Sequence, residues 1–329
     1  MSRSRRSPFL VPLAQLTLAL GLGTLSAGAV RAQSLPPFGP LNPVAASRTG
    51  LAFQPWVAPG KRWQVALLLD HGSLIEYADT GDVSYVLDAE VLRLQAGITR
   101  NLGRRAFLLA EASFNGAYDG FLDGFLDWYH DLTGFQVKAR ELRPTNQFAY
   151  RIELPGDRSH VYGKSSGFLG DLRVGAGLHH TRHWQSSVSI TLPLGSSPAG
   201  YRRGTVSLNG TTHLRAEFLG RFVYEGSFGL GYTPTHGELA DLQRKSFVMV
   251  TQGLRGRVSG VLHAYSNVFY HSPYYRGTGI LSLDRRELSI DVGGMLRFRR
   301  GPEWIFGLSE DLEPSGPAYD VGFRLGARW

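Results

Sequence analysis

Histidine, serine and asparagine occur close together at residues 263–267, in the order His-Ala-Tyr-Ser-Asn. These are residue types of a hydrolytic site, in which a base must lie within hydrogen-bond distance of the nucleophile that it activates. Two side chains of a β-strand share a face only when they are an even number of positions apart. His263 and Ser266 are three positions apart, so they point to opposite faces unless a β-bulge changes the register. The spacing argues against a catalytic pair.

Other motif-dependent sites are not indicated either. His179, His180 and His183 cluster near a short turn, but no carboxylate accompanies them at ligand spacing, so we expect surface histidines. The sequence has no cysteine, which excludes disulfides, thiolate metal sites and cysteine nucleophiles. It has no P-loop, no GxGxxG motif in a βαβ setting and no GxSxG motif. We therefore predict no cofactor, no metal site and no catalytic residue.

Residues 119–133 (DGFLDGFLDWYHDLT) combine acidic and apolar residues at helical spacing, which predicts a short amphipathic helix. Its aspartates recur every four residues and repel one another, so we expect compensating positive charge nearby, from Lys138, Arg140 or Arg143. The candidate functional residues of this helix, as a lid or plug, are Asp119, Phe121, Asp123, Phe125, Asp127, Trp128, His130 and Asp131.

Strands must position most of the remaining polar residues. Beyond residue 58, runs of about ten residues alternate apolar with polar or small residues and are separated by turn-forming residues. A soluble sandwich also alternates, but here small residues and charges of both signs recur on the polar face, as in a crowded aqueous lumen. We predict an all-β fold, a transmembrane antiparallel up-and-down β-barrel of about fourteen strands, or twelve if one central run is not a wall strand.

The polar faces of these runs supply the candidate lumen residues. Their mixed charges indicate either a salt-bridged plug or a weakly selective pore. They are Arg93, Asp171, Arg173, Arg215, Glu217, Glu225, Asp291, Arg297, Arg324 and Arg328.

The position of the helix relative to this barrel has three interpretations. It can pack over the barrel mouth with solvated carboxylates, or it can act as a lid or lateral gate whose acidic stripe repels or coordinates something. Anchoring at the membrane interface is disfavoured, because such helices usually carry Lys and Arg on the polar face.

The first 32 residues have the three parts of a secretory signal peptide, which are a basic start (MSRSRRS), an apolar stretch and a cleavage site after Ala32. Residues 33–58 are rich in proline and are predicted to be an extended N-terminal segment, and residues 59–329 form the barrel. No later stretch is apolar enough to span a membrane as a helix, so we expect the outer membrane of a Gram-negative-type bacterium. The net charge of +8 includes arginines of the leader and forms no basic block, so no nucleic-acid binding is predicted.

The chain ends inside its last predicted strand, at an aromatic residue. Phe323, Leu325 and Trp329 lie on one face of that strand, in a pattern that resembles the signal read by the outer-membrane insertion machinery. The expected partners are this machinery, outer-membrane lipid and, if the chain transports, a small-molecule cargo.

The segments GFLDGFLDWYHDLTGF and RPTNQF, followed by GFLGDLRV, HSPYY and GGMLRF, resemble in order a family of bacterial outer-membrane proteins known only as a domain of unknown function. A more distant resemblance is to outer-membrane transporters of aromatic compounds. Those usually read PTG where this chain has Pro193-Leu194-Gly195, so the resemblance implies no substrate. It implies an outer-membrane location and a barrel, without an activity.

Three functions remain open at this point. The first is a passive channel or transporter for small or moderately hydrophobic molecules. The second is a structural or assembly barrel without transport. The third is a lipid-modifying enzyme, because the His263–Asn267 segment has the residue types found in outer-membrane lipid hydrolases.

Overall fold

Fifteen β-strands make up most of the structure, a computed structural model that describes residues 34–49, 56–59, 61–134, 138–298, 300–313, 316–317 and 320–329. The predicted leader lies outside the described residues. The strands are β1 (Trp63–Asp79), β2 (Ser84–Leu102), β3 (Ala106–Tyr118), β4 (Ala149–Leu154), β5 (Arg158–Val161), β6 (Ser165–Leu169), β7 (Leu172–His179), β8 (Trp184–Leu192), β9 (Ser207–Phe218), β10 (Phe222–Tyr232), β11 (Ser246–Arg257), β12 (Leu262–His271), β13 (Glu287–Arg297), β14 (Glu303–Asp311) and β15 (Val321–Arg328).

Antiparallel pairing closes twelve of these strands, β1–β3 and β7–β15, into a barrel. The first and last strands pair directly, with Ala66 opposite Arg328 and Ser73 opposite Val321. The larger of the two predicted strand counts was therefore wrong. The runs near residues 146 and 158 form β4 and β5, which have six and four residues, whereas a membrane-crossing strand needs about 9–11.

Strands β4 to β6 lie at one end of the barrel. Residues 84–88 of β2 extend beyond its pairing with β3 and pair instead with β4, which pairs with β5. Both β6 and β7 pair with β3, so they act as two parts of one interrupted strand. The interruption falls at Gly170-Asp171.

The lengths of the connections define the two ends of the barrel. Connections of three to five residues join strands at one end: 103–105, 180–183, 219–221, 258–261 and 298–302. The other end has the longer connections 119–148, 193–206, 233–245, 272–286 and 312–320, and the four-residue connection 80–83 at the tip of the long β1–β2 hairpin. Outer-membrane barrels have short periplasmic turns and longer outer loops, so the first end is periplasmic.

The wall is apolar outside and polar inside. In β1, for example, Asp70 is 2% exposed, while Leu67 and Leu69 on the other face are 42% and 37% exposed. Aromatic residues at the periplasmic ends of strands also face outward, among them Trp63, Trp184, Trp304 and Trp329. Such a girdle is typical of a barrel in a bilayer. This arrangement confirms the predicted outer-membrane type of fold.

Four short helices complete the described structure: α1 (Pro43–Arg48), α2 (Asp123–Thr133), α3 (Lys138–Glu141) and α4 (Leu281–Asp284). Among the described residues, no helix has the length and hydropathy needed to cross a membrane.

Candidate functional site in the barrel lumen

An N-terminal segment occupies the lumen, and we call its described residues, 34–49 and 56–59, the plug. Its apolar side chains Leu35, Phe38 and Val44 are at most 2% exposed, although the segment is rich in proline. The plug forms a hairpin. Thr49 lies near the outer end of β9, and the Ser34 hydroxyl donates to the carbonyl of Trp56 on the returning limb.

Three arginines bind backbone carbonyls along the plug, two from wall strands and Arg203 from the connection 193–206. Arg328 donates to Ser34 at 2.7 Å, and Arg93 donates to Gly39 at 3.1 Å and to Pro40 at 2.8 Å. Near the outer end, Arg203 donates to Ala46 at 3.0 Å and to Thr49 at 2.6 Å. A buried carbonyl needs a donor, and a guanidinium carries five in a fixed plane.

The same arginines are held by carboxylates of the wall. Arg203 binds Asp171 at 2.9 Å, and Arg93 binds Asp70 at 2.9 Å. Arg328 pairs with Glu303. Each guanidinium therefore bridges the wall and the plug, and each wall carboxylate orients the guanidinium for this contact.

Further ion pairs and aromatic contacts connect the plug to the wall. Arg324 bridges Asp70 and Asp291, at 2.7 Å from each, and its guanidinium lies 5.3 Å from the ring of Phe38. Glu225 binds Arg215 at 2.7 Å and accepts a hydrogen bond from the Leu35 amide at 2.9 Å. These contacts tie both the backbone and the side chains of the plug to the wall.

The structure places most of the predicted lumen residues inside the barrel. Those that are buried or nearly so are Arg93, Asp171, Arg173, Arg215, Glu225, Asp291, Arg324 and Arg328. Glu217 is half-exposed near the periplasmic end of β9 and lies 3.4 Å from Arg215. Arg297 is half-buried at the periplasmic end of β13.

Sequence reasoning missed three residues of this site. Asp70 alternates with Leu67 and Leu69 in a run that the pattern could have resolved. Glu303 opens a strand and shares its face with Ile305, so parity could also have found it. Arg203 lies in a long connection, where alternation gives no information about side-chain direction.

The outer mouth is closed by a cap, which we define as the β4–β5 hairpin together with the connections 193–206, 233–245 and 272–286. Its aromatic residues Tyr150, Tyr201, Tyr274 and Tyr275 are 2–8% exposed. The rings of Tyr150 and Tyr201 meet edge to face at 5.7 Å. In this conformation the lumen is filled by the plug and covered at the outer end.

A cavity of about 140 Å³ remains between the plug and strands β2, β3 and β6–β8. Its lining is mixed, with Val91, Phe168 and Tyr201 beside charged and amide side chains. The charged members form pairs across it, Arg173 with Glu111 and Arg203 with Asp171.

The residues weighed for hydrolysis and metal binding do not form a site. His263 points into the lumen and Ser266 lies on the other face of β12, as their spacing predicts. His179 is buried rather than at the surface, 2.9 Å from Asn101. Among the residues that the structure describes, no cluster of three or more His, Asp or Glu side chains could hold a metal ion.

Helix α2 lies against the outer wall, so the expectation of a helix over the mouth was wrong. The Phe125 ring lies 5.9 Å from Phe323, which shares the outward face of β15 with Leu325. Tyr129 donates to Glu310 of β14 at 3.5 Å. Glu310 faces outward because Ser309 and Asp311 beside it belong to the lumen-facing row.

Of the expected positive charges, Arg140 contacts the acidic stripe, whereas Arg143 binds a carboxylate of β2. Arg140 binds Asp123 at 2.8 Å and Asp320 at 2.7 Å, and Arg143 binds Asp88 at 3.0 Å. Burial alone lowers the pKa of Arg140, but Asp320 and Asp123 outweigh it and raise that pKa above its ordinary value.

The remaining helix candidates lie at the edges of this arrangement. Asp119 pairs with Lys164 at 2.8 Å in an exposed position, and His130 lies 3.2 Å from Asp320. Asp127 is half-exposed, 4.0 Å from Arg140, and Asp131 is exposed. The side chain of Lys138 lies outside the described part of the chain.

Comparison with known proteins agrees with this architecture. A family model described as "Protein of unknown function (DUF3187)" matches residues 40–329. No curated protein matches the sequence. The COG4313 outer membrane channel from Pseudomonas putida F1 has a similar structure, with a TM-score of 0.53 at 12% identity over 83% of this chain and 99% of that one.

Two further solved structures show a weaker likeness. The toluene transporter TodX of Pseudomonas putida matches with a TM-score of 0.37 at 11% identity, over 87% of this chain and 90% of that one. The monoaromatic hydrocarbon channel CymD matches with a TM-score of 0.40 at 11% identity, over 94% and 96%. At these identities the likeness concerns the fold alone.

Proposed function

Because the chain belongs to DUF3187, a family of unknown function, and folds as an outer-membrane-type barrel, we propose that it is an outer-membrane channel for small molecules that its own plug holds closed. The observation that carries the proposal is the occupation of a charged lumen by a separate chain segment. Arginines hold that segment through hydrogen bonds to its carbonyls.

The plug is attached in a way that allows it to move. It adds no strand to the wall, and its contacts are individual hydrogen bonds, ring contacts and the packing of its buried apolar side chains. A single hydrogen bond contributes only about 1 kcal/mol net, or about 1.5–3 kcal/mol when one partner is charged, because water replaces it on release. The wall remains a complete barrel when the plug leaves, since its closure depends on pairing of β1 with β15.

The remaining cavity gives the scale of the cargo in the closed state. Its volume of about 140 Å³ is close to that of engineered cavities that hold one benzene molecule, about 150 Å³. Passage of anything larger requires displacement of the plug and of the cap. The mixture of apolar and paired charged side chains suits small, moderately hydrophobic molecules and gives little charge selectivity.

The proposal is tested by recording the mature chain in planar bilayers beside a variant whose residues 34–57 are replaced by a Gly/Ser linker of equal length. The wild type should conduct rarely, and the variant should conduct more often, because the buried contacts of the plug are gone and only the cap still closes its lumen. Heat-modifiable migration on gels verifies that both are folded. A folded variant that conducts no more than the wild type contradicts the proposal.

A structural barrel without transport is the second candidate. The observation that favours it is closure of the lumen at two levels, by the plug and by the cap. It predicts no conductance from either protein and an altered permeability barrier in a deletion strain.

A further inference from the structure

Most of the large apolar residues of α2 and of the turn before it point away from the protein, although Leu126 is fully buried against it. Phe125 and Trp128 are 44% and 57% exposed, and Phe121 and Leu132 are each 69% exposed. Leu142, just after α3, adds a fifth at 62%. An amphipathic helix on a soluble surface buries this face, so the orientation is inverted.

The polar face of the helix covers a group of outward-facing polar residues, which we call the outer polar patch: His71, Ser73, Asp88, Glu90, Glu310 and Asp320. Asp88 and Glu90 alternate with lumen-facing Ala89 and Val91, yet they are 4% and 2% exposed because the helical segment lies on them.

The contacts across this boundary are specific. Glu90 accepts hydrogen bonds from the amides of Phe121 and Leu122 at the start of α2 and pairs with His71 at 2.9 Å. Arg140 donates to the Ser73 hydroxyl at 2.9 Å while binding Asp123 and Asp320. The helical segment thus neutralises charges that would otherwise lie on the outer surface of the wall.

The exposed face of α2 continues the lipid-facing surface of the barrel. Phe125 contacts Phe323, and the next outward residues of the neighbouring strands are Leu325 and Leu69, both exposed. The helix belongs to the connection 119–148, which lies at the outer end of the strands. The helix therefore lies at the outer boundary of the hydrocarbon layer, where aromatic side chains are enriched in membrane proteins.

We propose that α2 is an interfacial helix whose Phe121, Phe125, Trp128 and Leu132 insert into the outer leaflet of the membrane while its acidic side seals the outer polar patch. A charged residue that faces hydrocarbon costs free energy. The helix covers several charged residues of the wall that would otherwise face the hydrocarbon layer. Part of the polar face, Asp123 and His130, meets protein instead of headgroups, so Lys and Arg are not needed there. The inference is independent of whether the barrel transports.

The chain has no cysteine, so single-cysteine variants carry one spin label each. Phe125→Cys and Trp128→Cys test the helix after reconstitution in phospholipid vesicles. Val188→Cys, 66% exposed on the outer face of β8, is the lipid-facing control, and Lys164→Cys is the control in an exposed outer connection. Power-saturation EPR then compares collisions with oxygen, which concentrates in hydrocarbon, and with a water-soluble nickel chelate.

The ratio of oxygen to nickel accessibility at 125 and 128 should be severalfold higher than at 164 and approach that at 188. Ratios equal to that at 164 would place the helix in water and overturn the proposal. Exclusion of both reagents from 125 and 128 would also overturn it, because another copy of the chain would then cover the face. All these substitutions replace exposed side chains, and heat-modifiable migration verifies folding.

Discussion

Arg203 lies in a connection of the outer mouth, yet its guanidinium touches three parts of the molecule. It binds Asp171 beside the interruption between β6 and β7, the Ser207 hydroxyl of β9 and two carbonyls of the plug. Burial of an arginine at 7% exposure is tolerated because each of these groups is an acceptor. This one side chain therefore links the cap, the wall and the plug.

Arg203→Met should loosen the outer end of the plug. Removing one partner of a buried ion pair costs about 3–5 kcal/mol, so openings in planar bilayers should become more frequent. Arg158→Met is the matched control, since it breaks an exposed pair with Asp241, at 3.0 Å, which contributes less than about 1 kcal/mol. Equal opening frequencies in the two variants would contradict the assigned role of Arg203.

Tyr129 makes the docking of α2 sensitive to alkaline pH. Burial, together with the carboxylate of Glu310, raises the pKa of Tyr129 from its ordinary 10 to about 12. A raised pKa in the folded state means that the stabilisation is complete below about pH 10 and is lost as the pH rises through about 12.

This prediction can be followed with a spin label on Trp128→Cys. Its mobility should increase between about pH 10 and 12, the interval set by the ordinary and raised pKa values. Adding Tyr129→Phe should remove or weaken this increase, because no phenol is then left to ionise beside Glu310. An unchanged mobility profile in the double variant would contradict it.

At the scale of elements, the pairing of β13 with β14 depends on two facing glycines. Gly293 lies opposite Gly307, and a Cβ added at Gly293 would lie 2.1 Å from the Phe306 carbonyl oxygen and 2.7 Å from the Gly307 Cα. Both of these atoms belong to the backbone, so a methyl group can be accommodated only by moving a strand.

Gly293→Ala should therefore destabilise the barrel by about 1–3 kcal/mol, the usual cost of overpacking. Gly210→Ala on the outer face of β9 is the control, because no atom lies within 4 Å of its added Cβ. Unfolding in urea, followed by loss of the heat-modifiable species, measures the difference between the two variants. Equal urea midpoints for the two variants would show that the strands accommodate the added methyl group without loss of stability.

Reasoning from the sequence was informative for the strands because their apolar and polar residues alternate with a fixed period of two. The faces of β2, β10, β13 and β15 follow from parity once the polar side is assigned to the lumen. The corresponding argument from helical periodicity did not predict where α2 lies relative to the barrel. The polar residues of α2 contact Glu310, Asp320 and Arg140, and none of these residues belongs to the helix. Helical periodicity alone therefore does not reveal which face of α2 meets protein.

The plug could not be predicted for a related reason. Proline-rich residues 33–58 have no periodic pattern, and their partners Arg93, Arg203 and Arg328 are distant in sequence. Only the three-dimensional closure of the barrel brings those donors around one segment. The alternation in the sequence predicts a charged lumen but contains no local sign of what fills it.

At the scale of the whole molecule, β15 closes the barrel and carries the predicted insertion signal. Phe323, Leu325 and Trp329 lie on the lipid-facing side of β15, and the Trp329 amide donates to Val65 of β1 at 2.9 Å. We propose that these side chains are presented to the outer-membrane insertion machinery before β15 pairs with β1.

Trp329→Asp should reduce the amount of heat-modifiable barrel in outer-membrane fractions severalfold. Trp304→Asp is the matched control, since Trp304 is similarly exposed at 44% against 50% and also lies near the periplasmic end, but not at the chain terminus. Equal losses of heat-modifiable barrel in the two variants would show that insertion depends on the hydrophobicity of the side chain and not on its position at the end of β15.

The mature chain should begin at Gln33, directly before the first plug residue. Mass spectrometry of protein purified from outer membranes measures this. A mass that retains residues 1–32 would contradict cleavage after Ala32 and would leave a basic leader attached beside the Arg328 contact with Ser34.

The hydrogen bond from Arg328 to the Ser34 carbonyl has a consequence for the order in which the barrel forms. The arginine lies in β15, the last strand of the barrel, and the serine lies ahead of β1, the first strand. A chain that lacks β15 can neither pair that strand with β1 nor bind Ser34, so closure of the barrel and attachment of this end of the plug both depend on the same last strand.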